Sequence, residues 1–239
     1  MTVDGWFGTL DALIEASSAG GVPDYLARLI FDEGELVTAS MELLLRRRGA
    51  VLETHPIKGT RPRGRSESRD RELAAELDAD PKERAELAMI VDLERNDLGR
   101  VSETGSVRVV DSGSVCTYPG VHHRVAKVVS RMRPGLEWWE ALAAVVPGGS
   151  VTGCPKIAAM SVIAELEPVP RGPFTGALGV IGGNGDLEMA LPIRSAWSVE
   201  SRLEFAAGCG IVWESDPVAE EAESRVKIAR WLDLVGAAE

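Results

Sequence analysis

Short apolar runs, separated by glycine, proline and polar residues, occur along most of this chain. Runs of this kind, rich in valine, leucine and isoleucine and bounded by turn residues, are typical of β-strands. Gly49 and Ala50 form a predicted turn between two such runs. The predicted strands are residues 35–40, 42–48, 50–57, 105–119, 175–183, 187–200 and 202–213.

Other segments have apolar residues at a spacing of three to four, which is typical of amphipathic helices. Two further segments belong to the prediction. One is an apolar stretch at 23–30, and the other is an arginine-rich polar loop that becomes helical near Leu73. Groups of strands separated by single helices favour an α+β fold with antiparallel sheets over a doubly wound parallel sheet. The predicted helices are residues 10–17, the segment from Leu73, a segment around residues 83–97, residues 121–132, 136–146 and 154–167, and a C-terminal segment around residues 220–227.

Two pairs of glutamates are the most informative polar residues. Glu83 and Glu86, and likewise Glu220 and Glu223, are three residues apart, so a helix places each pair on one face. Four carboxylates that converge repel one another unless a cation lies between them, and oxygen ligands suit Mg²⁺. A solvated helix face is the better explanation of either pair taken alone.

Length, composition and charge restrict the function classes. The chain has 239 residues, 45% hydrophobic residues and a net charge of −11. The acidic balance argues against general nucleic-acid binding, which needs a basic surface. We expect a cytoplasmic protein with no membrane segment, because no apolar run reaches the length of a span and the first residues do not resemble a signal peptide. The three cysteines are scattered and predict neither disulfides nor a zinc site.

The glycine-rich segment at residues 147–153 resembles a phosphate-binding loop but lacks its key residues. Gly148 and Gly153 have the required spacing, but Cys154 and Pro155 replace the lysine and the hydroxyl residue. Glycines at a helix start still allow an anion to approach free backbone N–H groups. A simple helix-entry turn is an equally good interpretation.

Lys58 and Arg194 are further candidates for chemistry. Lys58 lies between an apolar strand end and Gly59, and a lysine held away from water can act as a nucleophile. Arg194 is predicted in a strand among apolar residues, where it needs a carboxylate partner, and a substrate carboxylate is one candidate. His122 and His123 are adjacent, so at most one of them faces a site.

Six motifs together resemble the chorismate-utilising enzymes, in matching order and spacing from about Leu36 to Lys227. This family includes anthranilate synthase component I, aminodeoxychorismate synthase component I, and the isochorismate and salicylate synthases. The motifs are PIKGTRPRG, ELAMIVDLERNDLGRV, PGGSVTGCPKIAAM, RGPFTGALG, IRSAW and AGCGIVWESDPVAEEAESRVK.

The resemblance implies an α+β fold with two large packed antiparallel sheets and outer helices, and a single chorismate-binding catalytic domain over residues 1–239. It implies Mg²⁺ held directly by Glu86 and Glu223, with Glu83 and Glu220 acting through water. It also implies roles for Glu42 as the general acid and for His123 beside the substrate ring. The implied substrate-binding residues are Gly59, Thr60, Ser150, Phe174, Arg194, Gly210 and Lys227.

Lys58 discriminates within this family. Anthranilate synthases typically have alanine in this motif, whereas aminodeoxychorismate synthases typically have lysine. The resemblance therefore favours amination of chorismate at C4 through a covalent Lys58 intermediate, towards 4-aminobenzoate and folate. Ammonia is expected from a separate glutamine amidotransferase subunit, since nothing in the chain resembles a glutaminase. The alternatives are anthranilate synthase component I or another chorismate-utilising enzyme, and an inactive binding or partner subunit.

The chain departs from the family pattern near Glu42. Only 41 residues precede this glutamate, so the chain is expected to lack the usual N-terminal region. Met41 replaces the proline that usually precedes the acid, and Cys154 replaces a usual small residue.

Overall fold

The structure is a computed structural model that describes residues 1–4, 6, 9–18, 21–118, 120–213 and 215–235. Its residues form two compact units. The first unit comprises Met1–Met41, Arg171–Thr175 and Pro192–Glu239, and the second comprises Glu42–Pro170 and Gly176–Leu191. Each unit contains one antiparallel sheet with helices, so the predicted α+β class with two antiparallel sheets is confirmed.

The described elements come in groups of consecutive strands separated by one or more helices. In chain order they are β1 (Thr2–Asp4), α1 (Asp11–Ser18), β2 (Tyr25–Phe31), β3 (Gly34–Ser40), β4 (Leu43–Arg48), β5 (Val51–His55), β6 (Ile57–Pro62), α2 (Glu67–Ala79), α3 (Pro81–Gly99), β7 (Arg108–Tyr118), β8 (Val121–Arg131), α4 (Trp138–Val145), α5 (Gly149–Thr152), α6 (Lys156–Leu166), β9 (Leu178–Ile181), β10 (Leu187–Ala190), β11 (Ser195–Val199), β12 (Arg202–Ala206) and α7 (Pro217–Leu234).

The first unit contains a five-stranded sheet in the order β1-β12-β11-β3-β2. Helices α1 and α7 contribute apolar side chains to the core beside this sheet. Trp231 of α7 packs near Phe205 of β12, with ring centroids 6.4 Å apart, and its indole N–H donates to Ser17. The buried core residues are Leu10, Leu13, Ala16, Val37, Ala39, Ala196, Leu203, Phe205, Ile228, Trp231 and Leu232.

The second unit contains a seven-stranded sheet organised around β8. Strand β8 pairs with β7 along one edge, and with β6 and then β5 along the other. The sheet continues from β5 through β4 and β10 to β9. Every residue from Val121 to Ala126 is buried, so both faces of this half of β8 are covered.

Helix α3 of the second unit carries the first glutamate pair. Asp80 caps its start by accepting from the backbone N–H groups of Lys82 and Glu83, and Pro81 occupies the first turn, where no N–H is needed. Leu87, Ile90 and Leu98 are buried along one side. The helix therefore has a fixed start, which sets where the carboxylates of its first turns lie.

Three element predictions were wrong. The predicted helix 121–132 is instead strand β8 over Val121–Arg131, and it was misread because a strand buried on both faces lacks the alternation of apolar and polar residues. Residues 187–200 form two strands in different sheets, with Pro192 between them, so Arg194 lies just before β11 and not within a strand. The last predicted strand ends at Ala206 and not at Trp213.

None of the helices in the described ranges combines the length and the apolar character that a membrane span requires.

Candidate functional site

In the second unit, Lys58 and Glu42 are both linked to Ser150. The Nζ of Lys58 donates to the carbonyl oxygen of Ser150 at 3.2 Å, and the Ser150 hydroxyl donates to Oε1 of Glu42. Lys58 lies on β6, Glu42 precedes β4, and Ser150 lies on α5, the short helix of the glycine-rich segment. Three segments that are distant in sequence thus bring an amine, a hydroxyl and a carboxyl together.

The environment of Glu42 favours its protonated form. The side chain is buried, with 4% of the residue exposed, and burial raises its pKa to about 7. The hydrogen bond from Ser150, the charge of Lys58 and the backbone N–H of Ile57 act in the opposite direction but do not cancel the burial. A carboxyl with such a pKa can exchange a proton near neutral pH.

A β-bulge at Gly59 places β6 against α3. The register with β8 shifts between Lys58 and Thr60, and Gly59 has a φ of +74°. A Cβ atom there would meet the Cδ1 of Leu77 at 2.7 Å and Oε2 of Glu83 at 3.1 Å. Only glycine combines this conformation with such a close approach.

The two histidines of β8 make different contacts, as expected for neighbours in a strand. Nδ1 of His123 lies 3.1 Å from both Thr60 Oγ1 and the carbonyl oxygen of Gly59. His122 lies 2.9 Å from Thr117 Oγ1 and 2.9 Å from Asp70 Oδ1. His123 therefore faces the bulge next to Lys58, whereas His122 connects α2 to the β7–β8 hairpin.

Glu83 and Glu86 lie close together on α3 and are partly buried. Burial raises the pKa of Glu83, and the neighbouring charge of Glu86 raises it further. Arg61 lies 3.7 Å from Glu83, and Lys82 lies 3.8 Å from Glu86, at the long end of the range for ion pairs. The first pair thus forms the predicted like-charged couple on one helix face.

A buried acidic cluster, which the sequence did not reveal, lies on the next turns of α3. Glu94 is 3% exposed, accepts from the backbone N–H of Gly149, and has no hydrogen-bond partner for Oε2 among the described residues. Burial and the charges of Asp97 and Glu42 raise its pKa to about 8. Asp97 pairs with Lys156 at 2.5 Å. In the sequence, the only sign of this cluster is that Glu94 lies on the apolar side of a predicted helix.

This cluster predicts a stability that falls with rising pH. In the unfolded chain Glu94 ionises near its ordinary pKa of 4.5, whereas in the fold it keeps its proton up to about pH 8. Its favourable contribution is complete below pH 4.5 and is lost as the pH rises through about 8. At about 1.4 kcal/mol per pKa unit, the unfolding free energy should fall by on the order of 5 kcal/mol over this window, and we expect Glu94→Gln to remove that decrease.

Urea unfolding between pH 5 and pH 9 measures this effect. Glu188→Gln is the matched control, because Arg46 lowers the pKa of Glu188 and its contribution is lost only at acid pH. An unchanged pH slope in Glu94→Gln would contradict the assignment.

In the first unit, the second glutamate pair lies on α7 beside the segment 208–210. One ligand atom from each of Cys209, Glu220 and Glu223 lies within 4.8 Å of the other two. Lys227 Nζ pairs with Glu223 at 2.9 Å and donates to the carbonyl oxygen of Gly208 at 2.9 Å. Ser215 donates to Glu220 at 2.7 Å.

These donors fit a hard divalent cation. Glu220 and Glu223 supply carboxylate oxygens, the ligand type that Mg²⁺ prefers. Burial raises the pKa of the Cys209 thiol, so this group does not provide the thiolate that softer metals select. The α7 pair is therefore suited to magnesium through its two carboxylates.

Three further predicted residues lie in the first unit. Burial lowers the pKa of Arg194, and among the described residues no carboxylate pairs with its guanidinium. Phe174 lies beside Gly208, where an added Cβ would be 3.6 Å from the ring. Gly210 is exposed in the irregular segment after β12. Lys227, Phe174 and the segment 208–210 thus form one cluster, and Arg194 supplies a half-buried cation in the same unit.

Comparison with known proteins identifies the family. The model of the chorismate binding enzyme family matches residues 10–233. The chain belongs to the chorismate binding enzyme family. The resemblance predicted from the motifs is confirmed.

The curated relatives of this family member carry two different names. Anthranilate synthase component 1 1 of Haloarcula marismortui is 46% identical over 200 residues, which are 84% of this chain and 41% of that protein. Aminodeoxychorismate synthase component 1 of Bacillus subtilis is 43% identical over 200 residues, which are 84% of this chain and 43% of that protein. Identity alone does not choose between them.

A solved structure shares the fold. Anthranilate synthase component I of Streptococcus pneumoniae has a TM-score of 0.84 and 32% identity, over 96% of this chain and 51% of that one. The chain thus spans about half or less of the length of these three relatives.

Proposed function

We propose that this chorismate binding family member acts as aminodeoxychorismate synthase component I, which aminates chorismate at C4. The observation that carries the proposal is the group formed by Lys58, Ser150 and Glu42. An amine and a carboxyl that can be protonated near pH 7 meet there through one serine. Anthranilate synthesis needs no lysine at this position, whereas amination through a covalent intermediate does.

The reaction follows from these two groups. The unprotonated Lys58 amine attacks C2 of chorismate, the two conjugated ring double bonds shift, and the C4 hydroxyl leaves as water with a proton from Glu42. Ammonia then attacks C4, both double bonds shift back, and the lysine amine leaves C2. The product, 4-amino-4-deoxychorismate, retains the enolpyruvyl group.

Other residues would bind and orient the substrate. Chorismate carries two carboxylates, and Arg194 and Lys227 are cations suited to such groups. Gly59, Thr60, Ser150, Phe174 and Gly210 would shape the site, with His123 beside the ring. Holding C2 against the amine contributes to rate by orientation.

Magnesium is part of this proposal. Glu86 and Glu223 would hold the ion directly, and Glu83 and Glu220 would act through water. When bound, the ion neutralises a substrate carboxylate among the glutamates and assists its orientation.

The metal proposal predicts a loss of turnover when either direct ligand is removed. Since partners of metal ligands typically contribute 10–100-fold, we expect Glu86→Ala and Glu223→Ala each to lower kcat/KM by at least about 100-fold at limiting Mg²⁺. Unfolding free energy should change little, because neither side chain lies in the core. Glu221→Ala is the matched control, because Glu221 lies on the exposed part of α7 and pairs with Arg225 at 3.0 Å. Unchanged activity of either ligand variant at limiting Mg²⁺ would contradict the proposed metal site.

The nitrogen donor would be ammonia from a separate glutamine amidotransferase subunit, and the chain would act in the cytoplasm. This part of the proposal is supported by the family membership and by the component 1 names of the relatives.

Product analysis tests the function. Purified chain is incubated with chorismate, Mg²⁺ and an ammonium salt, and the products are identified by mass. Aminodeoxychorismate supports the proposal. Anthranilate with pyruvate would establish the alternative enzyme, which the Haloarcula relative favours. Saturable chorismate binding without turnover would identify a non-catalytic binding subunit.

A further inference from the structure

Glu94 of α3 contacts the segment that links the proposed nucleophile to the proposed acid. Its carboxyl accepts from the backbone N–H of Gly149, the first residue of α5. The next residue, Ser150, accepts from Lys58 through its carbonyl oxygen and donates to Glu42 through its hydroxyl. Glu94 thus holds the residue that directly precedes the contact point of both reacting groups.

Gly149 packs against α3 without space for a side chain. The residue is buried, and an added Cβ would overlap Cδ2 of Leu93 and lie 3.6 Å from Oε1 of Glu94. Helix α5 has only four residues, and so short a helix does not hold its position by its own hydrogen bonds. The position of its first turn is therefore set by the contact with α3.

Stability does not account for the carboxyl of Glu94. The residue is 3% exposed, and its Oε2 has no hydrogen-bond partner among the described residues. Burial of an oxygen without a partner costs at least as much free energy as a typical hydrogen bond contributes. The bond to Gly149 therefore brings little net stability, and what it supplies is a fixed position for the start of α5.

We propose that Glu94 is a positioning residue for the amination of chorismate, an inference that rests on the function proposed above. By holding the N–H of Gly149, Glu94 fixes Ser150. The Ser150 hydroxyl then orients the carboxyl of Glu42, and its carbonyl oxygen orients the amine of Lys58. A misplacement of about 1 Å in such groups can lower a rate about 100-fold.

The proton state of Glu94 decides which substitution preserves this role. Asp97, Glu42 and Lys156 are the charged groups that act on its carboxyl. Burial and the two acidic neighbours raise its pKa to about 8, against the opposing charge of Lys156, so the group is neutral at the pH where Glu42 can donate a proton. A neutral amide is therefore the conservative replacement, because the glutamine carbonyl accepts from the same N–H.

Variants at position 94 test the proposal through rate and binding, measured below pH 7. Glu94→Met removes the acceptor and keeps the length of the side chain. We expect its kcat to fall roughly 10- to 100-fold while the chorismate Kd stays near that of the wild type, because orientation is lost and binding is not. Glu94→Gln should retain most of the wild-type kcat. Glu76→Met is the matched control, because it makes the same chemical change on the exposed side of α2, where Glu76 pairs with Arg69 at 2.9 Å.

Two further readouts separate positioning from a loss of folding. In urea unfolding, Glu94→Met should stay close to the wild type, because removal of a buried carboxyl offsets the unpaired N–H of Gly149. Hydrogen–deuterium exchange, followed by mass spectrometry, should be faster over residues 148–153 in Glu94→Met and unchanged in Glu94→Gln. Glu94→Leu, which also lacks an acceptor, repeats the test with a side chain of different shape.

Several results would overturn the role of Glu94. These are a wild-type kcat in Glu94→Met and Glu94→Leu, an equal loss of kcat in Glu94→Gln, or unchanged exchange over residues 148–153 in Glu94→Met. Failure of the proposed function is a separate result. If the wild type forms anthranilate, the same kcat ratios, measured for anthranilate, still decide the role of Glu94, whereas a wild type that turns over no chorismate overturns both proposals.

Discussion

Lys58→Ala is expected to lower formation of 4-amino-4-deoxychorismate by on the order of a thousandfold or more, because it removes the proposed nucleophile. Chorismate binding should persist, since the proposed cations for its carboxylates are Arg194 and Lys227. With ammonium at high concentration, the space left by the lysine allows ammonia to attack C2, so traces of anthranilate are expected. Rapid-quench product analysis measures the rate of product formation, and the chorismate Kd measures substrate binding.

Two further measurements make this test specific. Intact-mass analysis of the wild type during turnover should show a substrate-derived adduct on Lys58. Lys127→Ala serves as the control, because Lys127 lies on β8 in the same unit but pairs with Glu53 at 2.8 Å. Full aminodeoxychorismate synthesis by Lys58→Ala at low ammonia contradicts the covalent mechanism.

Glu42→Gln should lower the chemical step by roughly 100- to 10,000-fold while changing the chorismate Kd little, since general acids contribute about this much to rate. The pKa of Glu42 is raised to about 7 by burial, so the proton that the C4 hydroxyl requires is present below that pH and absent above it. Wild-type kcat is therefore expected to fall as the pH rises through about 7. The residual activity of Glu42→Gln should lack this decline.

The control for Glu42 is Glu53→Gln, which changes a carboxylate on β5 that is ion-paired with Arg46 and Lys127. A normal rate in Glu42→Gln, or a pH profile that keeps its decline in that variant, would assign the acid to another group.

Local rules predicted the helices that carry the two glutamate pairs. Within a helix, residues i and i+3 lie on one face without the help of any distant contact. This spacing therefore suffices to predict that Glu83 lies beside Glu86, and Glu220 beside Glu223. Caps at Asp80 and Asp216 strengthen the same signal. The positions of both pairs on α3 and α7 are confirmed.

The meeting of Lys58, Glu42 and Ser150 could not be worked out from local pattern. Lys58 and Ser150 are separated by 92 residues, and Ser150 and Glu42 by 108. Only the family motifs indicated that these three residues belong to one site. The burial that raises the pKa of Glu42, and the acidic cluster around Glu94, arise from packing that no motif describes.

Strand β8 was mistaken for a helix because of its burial. Its first six residues are all covered, so apolar and polar positions do not alternate as they do in a half-exposed strand. Pro192, by contrast, is a signal that is visible in the sequence. Proline in the predicted strand 187–200 should have divided it, as the structure does.

The central place of β8 also determines how much change in length the chain tolerates. Each of its residues from Val121 to Val125 lies between β6 and β7, and side chains alternate between the two faces. Insertion of one residue before His122 would turn every following side chain of β8 to the opposite face, and would leave Asp70 facing the inserted residue in place of His122. In a library of single-residue insertions, β8 should therefore accept almost none, whereas the exposed turn at Gly49 should accept many.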